Sequence, residues 1–137
     1  MKPKSGNIKG LQIVQNRALR IVLKVDYRFS RQGIYQKLKI DCLSAKAKKN
    51  LVILIFKILN NLLPDFLSSQ LTLKVSHYSL RNSACIIQLP KPNTNICKNS
   101  SIYLGAQLFN NLPENVRKKN RLPQFIKEIG TIYQFEF

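Results

Sequence analysis

The side chains with chemistry to offer in this 137-residue chain are overwhelmingly cationic: 23 Lys and Arg stand against 6 Asp and Glu, a formal net charge of +17. They gather in two places. Lys9, Arg17, Arg20 and Lys24 recur at intervals that put them on one side of a helix, and Arg117, Lys118, Lys119 and Arg121 form a second cluster toward the C-terminus. Rows of ammonium and guanidinium groups neutralise phosphate oxygens without reading sequence, so these residues are the candidate nucleic-acid-binding set. A surface of this charge is drawn to polyanions, nucleic acid first, then an anionic membrane, then an acidic protein. Two plainer accounts compete. Most charged helix faces simply face water, and A/T-rich coding inflates Lys, Asn and Ile together. That bias does not account for the scarcity of acids.

Catalytic chemistry is poorly provided for. The six carboxylates are dispersed, there is no Gly-rich phosphate loop and no G-x-S-x-G, and the single histidine, His77, sits with Ser76 and Ser79 in what reads as a surface loop. Cys42, Cys85 and Cys97 are odd in number and irregular in spacing, as expected of reduced thiols in an intracellular, nuclear or cytoplasmic protein. No His or Cys pair has metal-ligand spacing. The expectation is a binding or packing module and not an enzyme, with no cofactor, no metal and no small-molecule substrate.

The cations need a scaffold, and the most apolar run supplies its centre. Leu51-Val52-Ile53-Leu54-Ile55-Phe56-Lys57-Ile58-Leu59-Asn60-Asn61-Leu62-Leu63, set at about 100° per residue, covers well over half a helical circumference and leaves a polar stripe through Lys46, Asn50, Lys57 and Asn61. A central helix over residues 43–63 follows, one that needs cover on both flanks. It is too short for a bilayer span, and Lys57 and Pro64 interrupt it. Its first turns hold Lys46, Lys48 and Lys49, where the helix dipole disfavours cations and an outside anion would compensate.

The other stretches supply the cover. Residues 1–7 read as an unstructured lead-in. From Ile8, the apolar side of a first helix holds Leu11, Val14, Ala18, Leu19, Ile21, Val22 and Val25, a face suited to packing inward. Ser30 is placed to cap a short helix through Ile34, Tyr35 and Leu38, and Asp41 to cap the central one. Residues 64–104 read as an irregular insertion, with a short turn of helix at Pro64-Asp65-Phe66-Leu67, strand-like alternation at 71–75 and an apolar run at 84–89, either a small hairpin or an extended wrap. Ser100 or Ser101 starts a helix through Ile102, Tyr103, Ala106, Leu108 and Phe109. Pro113 and Glu114 restart one. Leu122, Phe125, Ile126, Ile129, Ile132 and Tyr133 then give a final amphipathic helix opened by Pro123 and weakened at Gly130. The expected fold class is mainly α, a single helical domain over residues 8–137 around one apolar helix, with a minor β-hairpin or extended insertion.

Several blocks, taken in order, resemble a known family. Leu11-Gln12-Ile13-Val14-Gln15-Asn16-Arg17-Ala18-Leu19-Arg20-Ile21-Val22 is similar to the LQ-x-x-QN-R-A-L-R-I-I segment found downstream of the polymerase core in jockey-like non-LTR retrotransposon reverse transcriptases. Leu38, Ile40 and Leu43 match an L-x-I-x-x-L step, and residues 56–67 its F-K-I-L-N-N-L-L-P-D-F-L ending. Residues 78–82 resemble h-x-T-R-x, and a proline-basic stretch follows at 89–92. Gly105, Asn110, Leu112, Pro113 and Arg117 match G-x-x-x-W-N-x-L-P-x-x-I-R, with Phe109 where the family has Trp. Residues 125–129 resemble the F-K-x-x-L close.

The resemblance implies the C-terminal region of such a polyprotein, whose polymerase and endonuclease residues would lie ahead of Met1, so no catalytic role falls on any residue here. Its expected partners are the phosphate backbone of RNA or DNA and the upstream reverse transcriptase domain, with no membrane. Packing against the polymerase thumb is the alternative role, and a decayed element copy without present function another.

Overall fold

The computed structural model describes residues 5–75 and 85–133. Its elements run α1 (Ser5–Leu23), α2 (Arg31–Leu38), α3 (Leu43–Leu59), α4 (Asp65–Ser68), β1 (Thr72–Leu73), β2 (Ile87–Gln88), α5 (Asn95–Lys98), α6 (Ser101–Asn110), α7 (Glu114–Arg117) and α8 (Leu122–Ile132). The fold is therefore mainly α, with one minute antiparallel sheet among the described residues, Thr72 opposite Gln88 and Leu73 opposite Ile87.

α3 is the rod on which the rest is laid. Val52, Ile55, Phe56 and Ile58 are each at most 1% exposed and meet Ala106 and Phe109 of α6, Phe125 and Ile129 of α8, and Ile87 of β2. Phe125 stacks on Phe56 with ring centroids 4.2 Å apart, and Phe109 closes the trio at 6.1 Å from Phe125, a geometry that offset aromatic rings favour. Gly105 lets α6 come close. A Cβ there would stand 2.8 Å from Ile55 Cγ1 and 3.1 Å from the Leu51 carbonyl oxygen.

α3 ends earlier than the apolar run implies, at Leu59 and not Leu63. Asn61 takes a left-handed conformation with φ 53°, which Asn tolerates through its short polar side chain. Leu62 N–H then donates to the Lys57 carbonyl at 2.9 Å and Asn61 N–H to Ile58 at 3.2 Å, the paired bonds of a Schellman stop. Leu62 and Leu63 leave the helix in consequence.

Several local expectations hold. Ser30 Oγ accepts from Gly33 N–H at 3.1 Å, and Ser100 Oγ from Tyr103 N–H at 3.2 Å. Pro123 lies in the first turn of α8. Others are corrected. Helix α1 already runs at Ser5, inside the supposed lead-in, and the 64–104 stretch contains α5 in addition to the sheet and to α4, which lies at the expected helical turn after Pro64. Thr94 directs α5, its Oγ1 accepting from Cys97 N–H. Asp41 does not cap α3: Cys42 holds the cap position without a side-chain bond. Gln12 Oε1 of α1 accepts from Leu43 N–H at 2.9 Å instead, so the cap comes from a distant segment. Asp41 meets Lys49 Nζ at 2.6 Å and so sets a carboxylate beside the first turns of α3, where an external anion had been expected. Residues 1–4, and the blocks at 76–84 that include His77 and the Arg81 motif, lie outside the described residues.

The largest correction concerns α1. Its long apolar side does not face the core: Leu11 and Val14 are each 61% exposed, Ile21 76% and Val22 67%. The inward side is polar, made by Gln12, Gln15 and Asn16 with Leu19 and Leu23, because the surface it meets offers the Tyr35 hydroxyl, the Asp41 carbonyl and an open helix end.

Candidate nucleic-acid interface

Two separate seats carry the candidate cations. α1 rests on α2 and on the start of α3, over a small apolar cluster of Tyr35, Cys42 and Ala45 with Leu19 packed against it. α7 packs on α8, which in turn lies on the Phe56 region of α3. The first cluster is thus fixed near the N-terminal end of the rod and the second against its C-terminal half.

A polar lock orients α1. Tyr35 Oη donates to Asn16 Oδ1 at 2.5 Å, while Gln12 Nε2 donates to Gln15 Oε1 at 2.9 Å and also to the Tyr35 hydroxyl. Gln15 Nε2 reaches the Asp41 carbonyl at 3.5 Å. Burial pushes the Tyr35 phenol above its ordinary 10.0, the neighbouring Cys42 adds to the rise, and the Gln12 bond opposes it. With Gln12, Asn16 and Leu19 committed inward, the wheel of α1 turns Lys9 and Arg17 to solvent, and Lys24, in a left-handed conformation one residue past the helix end, is exposed as well. No acid lies on this helix to neutralise them. Lys9 and Arg17 stand about 12 Å apart along its axis.

Arg20 departs from that row. It is half-buried, its Nη2 bonds the Phe29 carbonyl at 3.4 Å, and its Nε is buried with no hydrogen-bond partner. Its guanidinium is largely spent on the turn between α1 and α2.

The second cluster separates further. Arg117 is 5% exposed, so its head group is withdrawn from any surface contact, contrary to the expectation that it would face a phosphate. The short α7 turns Val116 and Arg117 inward together. Lys118 Nζ is 2.5 Å from Glu114 Oε1 one turn away, and that hydrogen bond holds the Glu114 carboxyl below its ordinary range. Lys119 is half-buried, whereas Arg121 is exposed. Of the eight, Lys9, Arg17, Lys24 and Arg121 therefore remain as exposed cations outside the Asp41–Lys49 and Glu114–Lys118 ion pairs.

Among the described residues no group of three His, Cys, Asp or Glu side chains could hold a metal ion, and no helix is long and apolar enough to cross a membrane. Neither protein-family models nor curated proteins nor solved structures yield a match to this chain.

The sequence reading missed the polar lock. The signal was present: Gln12, Asn16, Leu19 and Leu23 recur at four, three and four residues, a helix stripe as regular as the apolar one. Hydrophobicity alone chose the other stripe.

Proposed function

We propose that this chain is a non-catalytic C-terminal part of a non-LTR retrotransposon reverse transcriptase that holds the phosphate backbone of RNA or DNA without reading bases. The observation that carries the binding half is the row of exposed Lys9 and Arg17 on the acid-free α1, continued by the exposed Lys24 just past its end. A row of that length matches a run of successive phosphates, which lie about 3.4 Å apart along each strand axis. Arg121 adds a contact on a second surface. The family half is supported by the ordered blocks of the sequence, and its second partner is the upstream reverse transcriptase domain.

The test is a fluorescence-anisotropy titration of the whole chain with labelled single-stranded RNA and with duplex DNA at two salt concentrations. With three to four phosphates neutralised, duplex affinity falls about 40- to 150-fold between 50 and 200 mM salt. An affinity that does not change with salt overturns the binding reading.

A further inference from the structure

The outward apolar residues of α1 are in register. Leu11, Val14, Ala18 and Ile21 follow one another at intervals of three, four and three, the a and d spacing of a heptad, in which Arg17 takes g while Gln15 and Val22 take e, and Lys24 and Val25 follow just past the end of the helix, Lys24 with φ 52°. Leu11, Val14, Ala18, Ile21 and Val22 are exposed, as are Arg17 and Lys24, and only Val25 is half-buried. None of this stripe is needed to hold α1 in place, since Gln12, Asn16 and Leu19 do so from the other side. The result is a coiled-coil seam with one strand present.

Three properties decide what fills it. The period comes first: a seam repeating every 3.5 residues stays in contact with a second helix crossing at about 20°, whereas a lipid surface asks only for an apolar sector. Interfacial helices also lean on aromatic anchors, and α1 has none. Charge comes second. The g positions of a heptad set partner choice through the e′ residues they meet, so Arg17 at g, with the exposed Lys24 just past the last turn, selects carboxylates. A second copy of the chain brings +17 against +17 and an α1 without an acid in its first turn or elsewhere. Length comes third. The parts of this chain outside the described residues, 1–4, 76–84 and 134–137, carry Glu136 as their single acid and are too short to lie along three helical turns.

We infer that the outer seam of α1 is a docking site for an acidic amphipathic α-helix of a partner protein, with aliphatic a and d side chains against Leu11, Val14, Ala18 and Ile21 and Glu or Asp against Arg17 and Lys24. This inference does not depend on phosphate binding.

The test uses the whole chain and two labelled three-heptad peptides with identical Leu and Ile at a and d, one with Glu and the other with Lys at e and g. In fluorescence anisotropy at low salt the Glu peptide binds and the Lys peptide binds at least tenfold more weakly. The neutral pair Val14→Asn and Ile21→Asn weakens the Glu peptide at least tenfold, leaving the thermal midpoint and the nucleic-acid affinity where they were. Reversal of Arg17→Glu with Lys24→Glu moves the preference to the Lys peptide. Equal binding of the two peptides, or binding indifferent to the Asn pair, overturns the proposal. So does a concentration-dependent dimer that the Asn pair dissolves, which makes a second copy the occupant, and so does binding to phosphatidylserine vesicles lost with the Asn pair while the Glu peptide is ignored. Failure of the phosphate reading shows instead in the salt titration, where the Asn pair is silent.

Discussion

Asn110, the last residue of α6, grips the backbone of Ile87 with both ends of its amide: Nδ2 donates to the Ile87 carbonyl and Oδ1 accepts the Ile87 N–H, each at 2.9 Å. A side-chain amide here imitates the edge of a neighbouring strand, and β2 is sewn to the helix layer by it. Both backbone groups would otherwise lack a partner at a position where Ile87 is 1% exposed. Asn110→Ala therefore costs about 2–3 kcal/mol, the loss expected when buried polar groups are left unsatisfied. Urea unfolding of the variant beside the parent chain measures it, and Asn110→Asp, which keeps one acceptor and loses the donor, does not restore the parent value.

Gly105 makes the helix contact beside that clamp. Because an added Cβ meets the Ile55 side chain and a backbone carbonyl of α3, Gly105→Val forces the two helices apart at a cost of about 1–3 kcal/mol. If the variant unfolds at the same urea concentration as the parent chain, the close approach of α3 and α6 is not a constraint.

The lock on α1 has a pH signature. Tyr35 in the folded chain holds its proton above the ordinary value of 10.0, so the unfolded chain releases that proton first as pH rises. Its stabilisation is complete below about pH 10 and is lost as pH climbs from there through the folded value. Tyr35→Phe flattens this alkaline limb and at neutral pH removes about 1 kcal/mol with its hydrogen bonds. Urea midpoints taken at neutral and alkaline pH for both proteins show the crossing. Parallel curves would detach Tyr35 from the effect.

The open and the withdrawn cations predict opposite phenotypes. Lys9→Gln, Arg17→Gln and Lys24→Gln combined lower the salt slope of duplex binding by about 2.7, one increment per lost phosphate contact, and leave stability within about 0.5 kcal/mol. Arg117→Ala lowers stability by about 1–2 kcal/mol through lost packing of its stem and leaves affinity unchanged. A loss of affinity from Arg117→Ala alone would mean that its head group reaches the surface.

What could be read from the residues was the part governed by a single period. The apolar run of α3, the alternation into α6 and the stripe of α8 each have one dominant face, and burial follows it at Phe56, Phe109, Phe125 and Ile129. Where two periods compete on one helix, as on α1, the more hydrophobic stripe is not the one that packs, since the site it meets is polar and rewards Gln12 and Asn16. The cap of α3 was illegible for a related reason: the donor segment is 31 residues away, and local cap rules see only Asp41. Burial of Arg117 was hidden because charge predicts exposure, whereas the short α7 turns it inward beside Val116. The motif residues that carry the family resemblance, Gln12, Asn16, Gly105, Phe109 and Asn110, are here occupied with holding elements together.

The described residues form two unequal cores. The large one is shared by α3, α6 and α8, and the small one beneath α1 consists of Tyr35, Cys42 and Ala45. A helix held mainly by amide and hydroxyl contacts, with scant grease under it, opens at a lower free energy than the rod it leans on. Amide protons of α1 should then trade with deuterated water well before those of α3, and the first helix becomes a removable handle whose grip can be changed while the body stays folded.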